Sequence, residues 1–186
     1  MRLDEMKKKT LALIEEIDET KESLTNDPDI ESKLNYVINQ IMFELCRLKK
    51  IPDYVELQVT EGDLIRFEDI AEESGYEVYQ IDIARGVEHE YKAKGTILKA
   101  LETGILEVEY FRYPERITEK TGNSYEFELS DDALEIMPYG VAADLLKTDV
   151  SNNYGKIFAE RYKEMKMELD SRYSTGSIYI EGGYEI

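Results

Sequence analysis

Ser130-Asp131-Asp132-Ala133-Leu134-Glu135-Ile136-Met137-Pro138-Tyr139-Gly140-Val141-Ala142-Ala143-Asp144-Leu145-Leu146 is the most apolar run of an otherwise acidic chain. Leu134, Met137, Val141 and Leu145 recur at helical spacing, which predicts a core helix. Ser130, Asp131 and Asp132 are residue types whose side chains bond the free N–H groups of a first helical turn. Pro138 either kinks this helix or marks the first turn of its main part. With Gly140 it reads as a bend set where the helix meets the preceding segment. The helix is predicted to end near Lys147, and a short loop follows through Asn152. A second helix then runs to about Arg172, with Tyr154, Ile157, Phe158, Tyr162, Met165 and Leu169 on one face. Lys156, Lys163 and Lys166 with Glu160, Glu164 and Glu168 make its polar side.

Outward from that stretch, the N-terminus carries the same period. Residues 3–24 read as a helix with Leu3, Met6, Thr10, Leu13, Ile14, Ile17 and Leu24 on one face. Thr25-Asn26-Asp27-Pro28 stops it; Asp27 is a good N-cap, and Pro28 suits the first position of the next helix. That helix runs to about Lys50 on a wide stripe of Ile30, Leu34, Val37, Ile38, Ile41, Met42, Leu45 and Leu48. A face this wide calls for burial on more than one side, by other helices or by a neighbouring subunit.

Between Tyr54 and Leu129 the period is close to two. Val55, Leu57 and Val59 precede a turn at Glu61-Gly62-Asp63, and Leu64–Phe67 reads as a short strand. Tyr79, Ile81 and Ile83 alternate with polar residues, and Tyr91–Leu98 reads as another strand. Leu106, Val108 and Tyr110 form a further one, as do Tyr125, Phe127 and Leu129 after Thr121-Gly122-Asn123. Residues 69–74 and 97–102 read either way, as helix or not. Short strands between regular turns suggest a small antiparallel sandwich or barrel. The expected class is therefore α+β: a four-helix bundle, two helices from 1–52 and two from 130–172, with an antiparallel β-sandwich-like domain inserted at 53–129 and an extended tail at 173–186. In the tail, Ser177–Glu181 has strand propensity and follows a flexible stretch. It suits either addition to the sheet edge of another chain or a frayed terminus.

Charge follows the same partition. The 186 residues sum to −18. Residues 1–50 hold nine bases and eleven acids, residues 51–129 eight and nineteen, and residues 130–186 six and eleven. Such a surface repels duplex DNA and anionic membranes unless a basic patch intervenes. Lys7-Lys8-Lys9 and Lys49-Lys50 are short and read as solvated helix faces. No run is long and apolar enough for a membrane span, and the N-terminus has acids where a secretion signal is apolar. Cys46, the lone cysteine, reads as a small core hydrophobe. His89, the lone histidine, has no partners for a zinc set. No phosphate loop, nucleophile elbow or redox motif occurs. Asp131, Asp132 and Glu135 are explained by helix capping, and a carboxylate pair carries little information among 41 acids. No catalytic, cofactor or metal residues are assigned. The 14 tyrosines suit interfaces as well as cores.

Residues 133–146, then a short acidic loop, then Phe158-Ala159-Glu160-Arg161-Tyr162-Lys163-Glu164-Met165, resemble the end of head–tail connector (adaptor) proteins of tailed phages. These show a helix with leucine, proline, an aromatic, alanine and paired leucines, then a loop, then a helix with an Arg-Tyr pair. The order of elements is similar too, two N-terminal helices and a β-rich insertion as in the tail tubular relatives. The resemblance implies a non-enzymatic virion protein, made in the host cytoplasm, that forms a ring, commonly of twelve subunits. The ring would dock under the portal, extend the DNA channel without specific DNA contacts, and carry the stopper or tail. It implies portal or neighbour contacts by the tail residues Ile178, Tyr179, Ile180, Tyr184 and Ile186. Ile38, Met42, Leu45, Tyr154, Phe158 and Tyr162 are the candidates for contacts between subunits. The alternative reading is an acidic β-sandwich binding module, for carbohydrate for example, on a helical scaffold.

Overall fold

The structure is a computed structural model that describes residues 1–22, 24–147 and 153–171. Its centre is α4 (Asp131–Leu146), which runs unbroken through Pro138. Ala133, Leu134, Ile136, Met137, Pro138, Gly140, Val141 and Ala142 are all buried, so the helix is covered on more than one side. A helix apolar nearly all round needs several neighbours. Here α1 (Leu3–Leu13), α2 (Pro28–Leu48) and α5 (Tyr154–Ser171) all pack against it.

Gly140 is where that packing is tightest. A Cβ there would lie 2.9 Å from Tyr162 Cε2 on α5 and 3.1 Å from Ile41 Cγ2 on α2. The absent side chain lets three helices approach closely here. Ser130 takes the N-cap position without a side-chain cap bond. Asp132 instead pairs with Lys49 at 2.7 Å, and the Lys49 side chain is buried rather than solvated as expected. Lys49 caps the C-terminal end of α2 and Asp132 sits in the first turn of α4, so each charge also meets a favourable helix end.

α2 starts as its sequence predicts: Asp27 Oδ1 accepts from the N–H groups of Asp29 at 2.8 Å and Ile30 at 3.3 Å, with Pro28 at the first position. α1 is shorter than the expected 3–24. It ends in a Schellman motif, with Glu16 N–H donating to Leu11 O at 3.0 Å and Glu15 N–H to Ala12 O at 3.3 Å. Glu15 supplies the left-handed residue, φ 60°, that glycine usually supplies. Asp18 then organises the loop through Thr20 Oγ1 at 2.6 Å and Asn26 at 2.7 Å. Those hydrogen bonds, Thr20 first, hold its carboxyl below the usual range.

The middle of the chain forms two antiparallel sheets. One has the order β1 (Ile51–Val59), β6 (Gly104–Arg112), β3 (Val78–Gly86); the other has β2 (Leu64–Arg66), β5 (Ile97–Ala100), β4 (His89–Lys92). Val55, Val78, Ile81, Leu106, Val108 and Tyr110 of the first sheet share a core with Ile65, Leu98 and Ala100 of the second. The short helix α3 (Phe67–Ser74) adds Ile70 and ends on Gly75, φ 79°. Residues 69–74 are thus helical, and 97–100 are strand.

The expected strand at 125–129 is not part of either sheet. Tyr113, Ile117, Phe127 and Leu129 lie in the helical core, whereas the β core is drawn from residues 55–110. Residues 113–130 run along the helices as a strap. Tyr125 O and Asn123 O accept from Leu3 and Asp4 N–H at 2.8 and 3.0 Å, which satisfies the open start of α1. Asn39 Nδ2 donates to Ile117 O at 2.7 Å and its Oδ1 accepts from Ile117 N–H at 2.8 Å. One side chain on α2 thereby pairs both backbone polar groups of a strap residue.

Candidate functional site

The two cores meet at Arg112, the last residue of β6. Its side chain is 10% exposed in an acidic part of the chain. Nε donates to Asp53 Oδ2 at 2.7 Å, and the two terminal nitrogens donate to Glu128 at 2.8 and 3.1 Å. The guanidinium also stacks 3.8 Å from the centre of the Tyr76 ring. A planar cation suits this paired and stacked environment better than an ammonium would. Hydrogen bonds from Arg112 hold the Glu128 carboxyl below its usual range despite partial burial. On the other side, Cys46 Sγ donates to Arg112 O at 3.3 Å. Burial pushes that thiol up to about 11, and Cys46 is buried in the core, as its apolar helical setting predicted.

Aromatic residues continue the junction. Tyr113 packs between Phe43, 5.1 Å away by ring centres, and Tyr79, 4.8 Å away. Arg47 Nε donates to Tyr113 Oη at 2.8 Å, and Tyr79 Oη donates to Cys46 O at 3.2 Å. Lys50 lies 4.3 Å over Phe111. One strand end, one helix end and the strap are locked together here, so the role of this cluster is positional.

The candidates for contacts between subunits divide sharply. Ile38, Met42 and Leu45 are fully buried against the chain's own helices, and Tyr162 is buried at the Gly140 contact. They are corrected to core residues: the wide stripe of α2 is covered by α4 and the strap. Phe158 is half-buried under α4, with Tyr139 6.5 Å away. Tyr154 is exposed and stacks on Phe158. The tail candidates Ile178, Tyr179, Ile180, Tyr184 and Ile186 lie outside the described residues.

Two exposed surfaces escaped the sequence reading. One is the outer side of α5, where Ile157 is 54% exposed and the side chain of Arg161 57%. The other is the outer face of the first sheet. Register places Tyr54 opposite Glu109, Glu56 opposite Glu107 and Gln58 opposite Ile105. Ile105 is 51% exposed and Tyr54 47%. Tyr54 Oη donates to Glu56 at 2.8 Å, and this bond raises the phenol to about 12. Glu56 and Glu107 face each other as like charges, a destabilising cross-strand pair. A hollow of about 310 Å³ opens beside them, lined by Pro52, Tyr54, Asp82, Glu109 and Phe111. The alternation in 51–59 and 104–112 was the available signal, but periodicity does not say which face stays bare.

His89 lies on β4, with Nδ1 2.9 Å from Val87 O and its ring edge-on to Tyr91. Among the described residues, no three His, Cys, Asp or Glu side chains are grouped to hold a metal ion, and no helix is long and apolar enough to cross a membrane. Set against known proteins, the chain matches no family model and no curated protein.

Proposed function

We propose that this chain is a structural virion protein, a ring-forming connector that docks under the portal of a tailed phage and extends the DNA channel toward the tail. The reading is carried by one observation: the residues that bear the connector resemblance, 133–146 and 158–165, are the packed pair α4 and α5 around the Gly140–Tyr162 contact. In this reading the four helices outside the β region form the bundle, and the two sheets with α3 form the inserted sandwich-like domain. A net charge of −18 supports a channel that duplex DNA passes without sticking, because phosphates meet few cations. The tail residues Ile178–Ile186 remain the proposed contact to portal or neighbour. Electron microscopy or mass photometry, with and without a tailed-phage portal protein, should find rings of about twelve chains. A strict monomer that ignores the portal would refute the reading.

A further inference from the structure

We infer that the outer face of the second sheet, with the turn of the β4–β5 hairpin, is where this chain touches the phosphate backbone of duplex DNA. The contact is argued from the face itself, and the choice of DNA as its polyanion rests on the connector reading. Ile65 and Leu98 belong to the β core, and register sets Tyr91 on that inner side with them. Alternation therefore turns two rows outward: Leu64, Lys99 and Glu90, then Arg66, Ile97 and Lys92. Lys94 follows in the turn between the strands. Arg66, Lys92 and Lys94 are exposed, and Lys99 is half-buried. Four of the eight bases between residues 51 and 129 thus gather on one face of the most acidic part of the chain.

One acid, Glu90, stands among them and pairs with Lys92. A hydrogen bond from Lys92 first, then the charges of Lys92 and Lys99, hold its carboxyl below the usual range. Among the described residues, Arg66, Lys94 and Lys99 form no ion pair. Three bordering acids are engaged by backbone donors. Asp63 accepts from Thr60 N–H at 2.7 Å, Asp69 from Arg66 N–H at 2.7 Å and Glu102 from Glu88 N–H at 2.8 Å. Glu68 and Glu88 lie beyond the ends of the two rows. Unpaired cations gathered in a chain of −18 reverse the field locally and draw an anion. This is the basic patch that no run of the sequence displays.

The turn adds a second observation. Ala93 and Lys94 hold φ of 46° and 60° ahead of Gly95 at 87°. Left-handed backbone at successive non-glycine residues is uncommon, and such strain gathers at functional sites. The face also selects among nucleic acids. No aromatic ring points outward for an unpaired base to stack on, which disfavours a single strand. Its cations stand on long stems without the amides that read bases, so the contact is to backbone and carries no sequence preference. Three or four phosphates neutralised give a slope of about −3 for log affinity against log salt. A contact this weak releases readily, which suits DNA that moves past, and it turns the second sheet toward the channel. A ring repeats it in every copy.

The test uses the full chain with a labelled duplex of about 30 base pairs at low salt, read by fluorescence anisotropy, with mass photometry on the same samples. The wild type should bind weakly, with a slope of about −3. Arg66→Gln with Lys92→Gln and Lys94→Asn should weaken binding by about tenfold or more and flatten the slope. Asparagine tolerates the left-handed turn, and circular dichroism confirms the fold. Lys94→Asn alone should already reduce the slope by about 1. Lys8→Gln with Lys9→Gln and Lys33→Gln removes the same charge from exposed positions of α1 and α2 and should change affinity by less than about twofold. Equal binding by the two triple variants, a wild type that ignores duplex, or tighter binding to a single strand or to polyglutamate would overturn the inference. Rings formed by a wild type that ignores duplex would overturn this contact and leave the connector reading standing. Binding lost only in the hairpin variants, in a chain that forms no rings with or without the portal, would keep the contact and remove that reading.

Discussion

Replacing Gly140 by alanine sets two effects of opposite sign against each other. In an exposed helix interior the change stabilises by about 1 kcal/mol through backbone entropy. At this position the new methyl would sit 2.9 and 3.1 Å from the Tyr162 ring and 3.1 Å from Ile41 Cγ2. Ordinary carbon contacts lie at about 3.5–4.0 Å, so both neighbours must give by roughly half an ångström. Both are buried, and they belong to different helices, α5 and α2, so neither can move into solvent. Overpacking of this kind costs about 1–3 kcal/mol. The expected net result is a loss of about 1 kcal/mol, and Gly140→Val should lose more. Urea unfolding at neutral pH measures it, and the melting temperature should fall by roughly 2–4 °C for alanine. Tyr162→Leu removes the ring, so in a double-mutant cycle the alanine should become less harmful in its presence. A Gly140→Ala protein more stable than wild type, or zero coupling to Tyr162, would refute the close contact of α4 with α5.

Arg112→Met should destabilise by about 2–3 kcal/mol, because Asp53 and Glu128 then face each other without their cation; their one-third exposure keeps the loss below that of a fully buried pair. The Glu128 carboxyl is depressed in the folded state, so its contribution is present above its unfolded pKa near 4.3 and is lost as pH falls through the lower folded value. Wild-type stability should therefore drop in acid, and Arg112→Met should flatten that drop in urea titrations at pH 3 to 7. Asn39→Ala leaves both polar groups of Ile117 without their partner and should cost about 2 kcal/mol by denaturant unfolding, with faster amide exchange at Ile117. Cys46, buried and held largely as the thiol, should resist a thiol reagent at pH 8 and react stoichiometrically only in denaturant.

Local signals carried most of the element list. Asp27-Pro28 fixed the start of α2, and alternation at 55–59 and 106–110 found the strands. The end of α1 was not legible, because Glu15 does at φ 60° what a glycine would have advertised. The strap was misread for a related reason. Tyr125, Phe127 and Leu129 alternate like a strand, yet their partners are residues 1–3 and the helical core, which no local window contains. Lys49 read as solvated because pairing with Asp132, more than eighty residues away, cannot be seen from a lysine pair.

By itself, then, the amino-acid order determined the helical and extended periods, the two helical ends around a β-rich middle, the concentration of acid in that middle, and the place of Cys46 in an apolar helical stripe. These depend on neighbours within a few residues and on composition. Tertiary structure alone decided which apolar faces are used up inside the chain. Ile38, Met42, Leu45 and Tyr162 have the same pattern as interface residues, and they are core only because α4 and the strap happen to cover them. It also decided that Gly140 is a point of helix contact, that Arg112 joins the two cores, and that the outer sheet face and the outer side of α5 stay open to solvent. Burial is a property of what lies opposite a side chain, and only the folded chain specifies that.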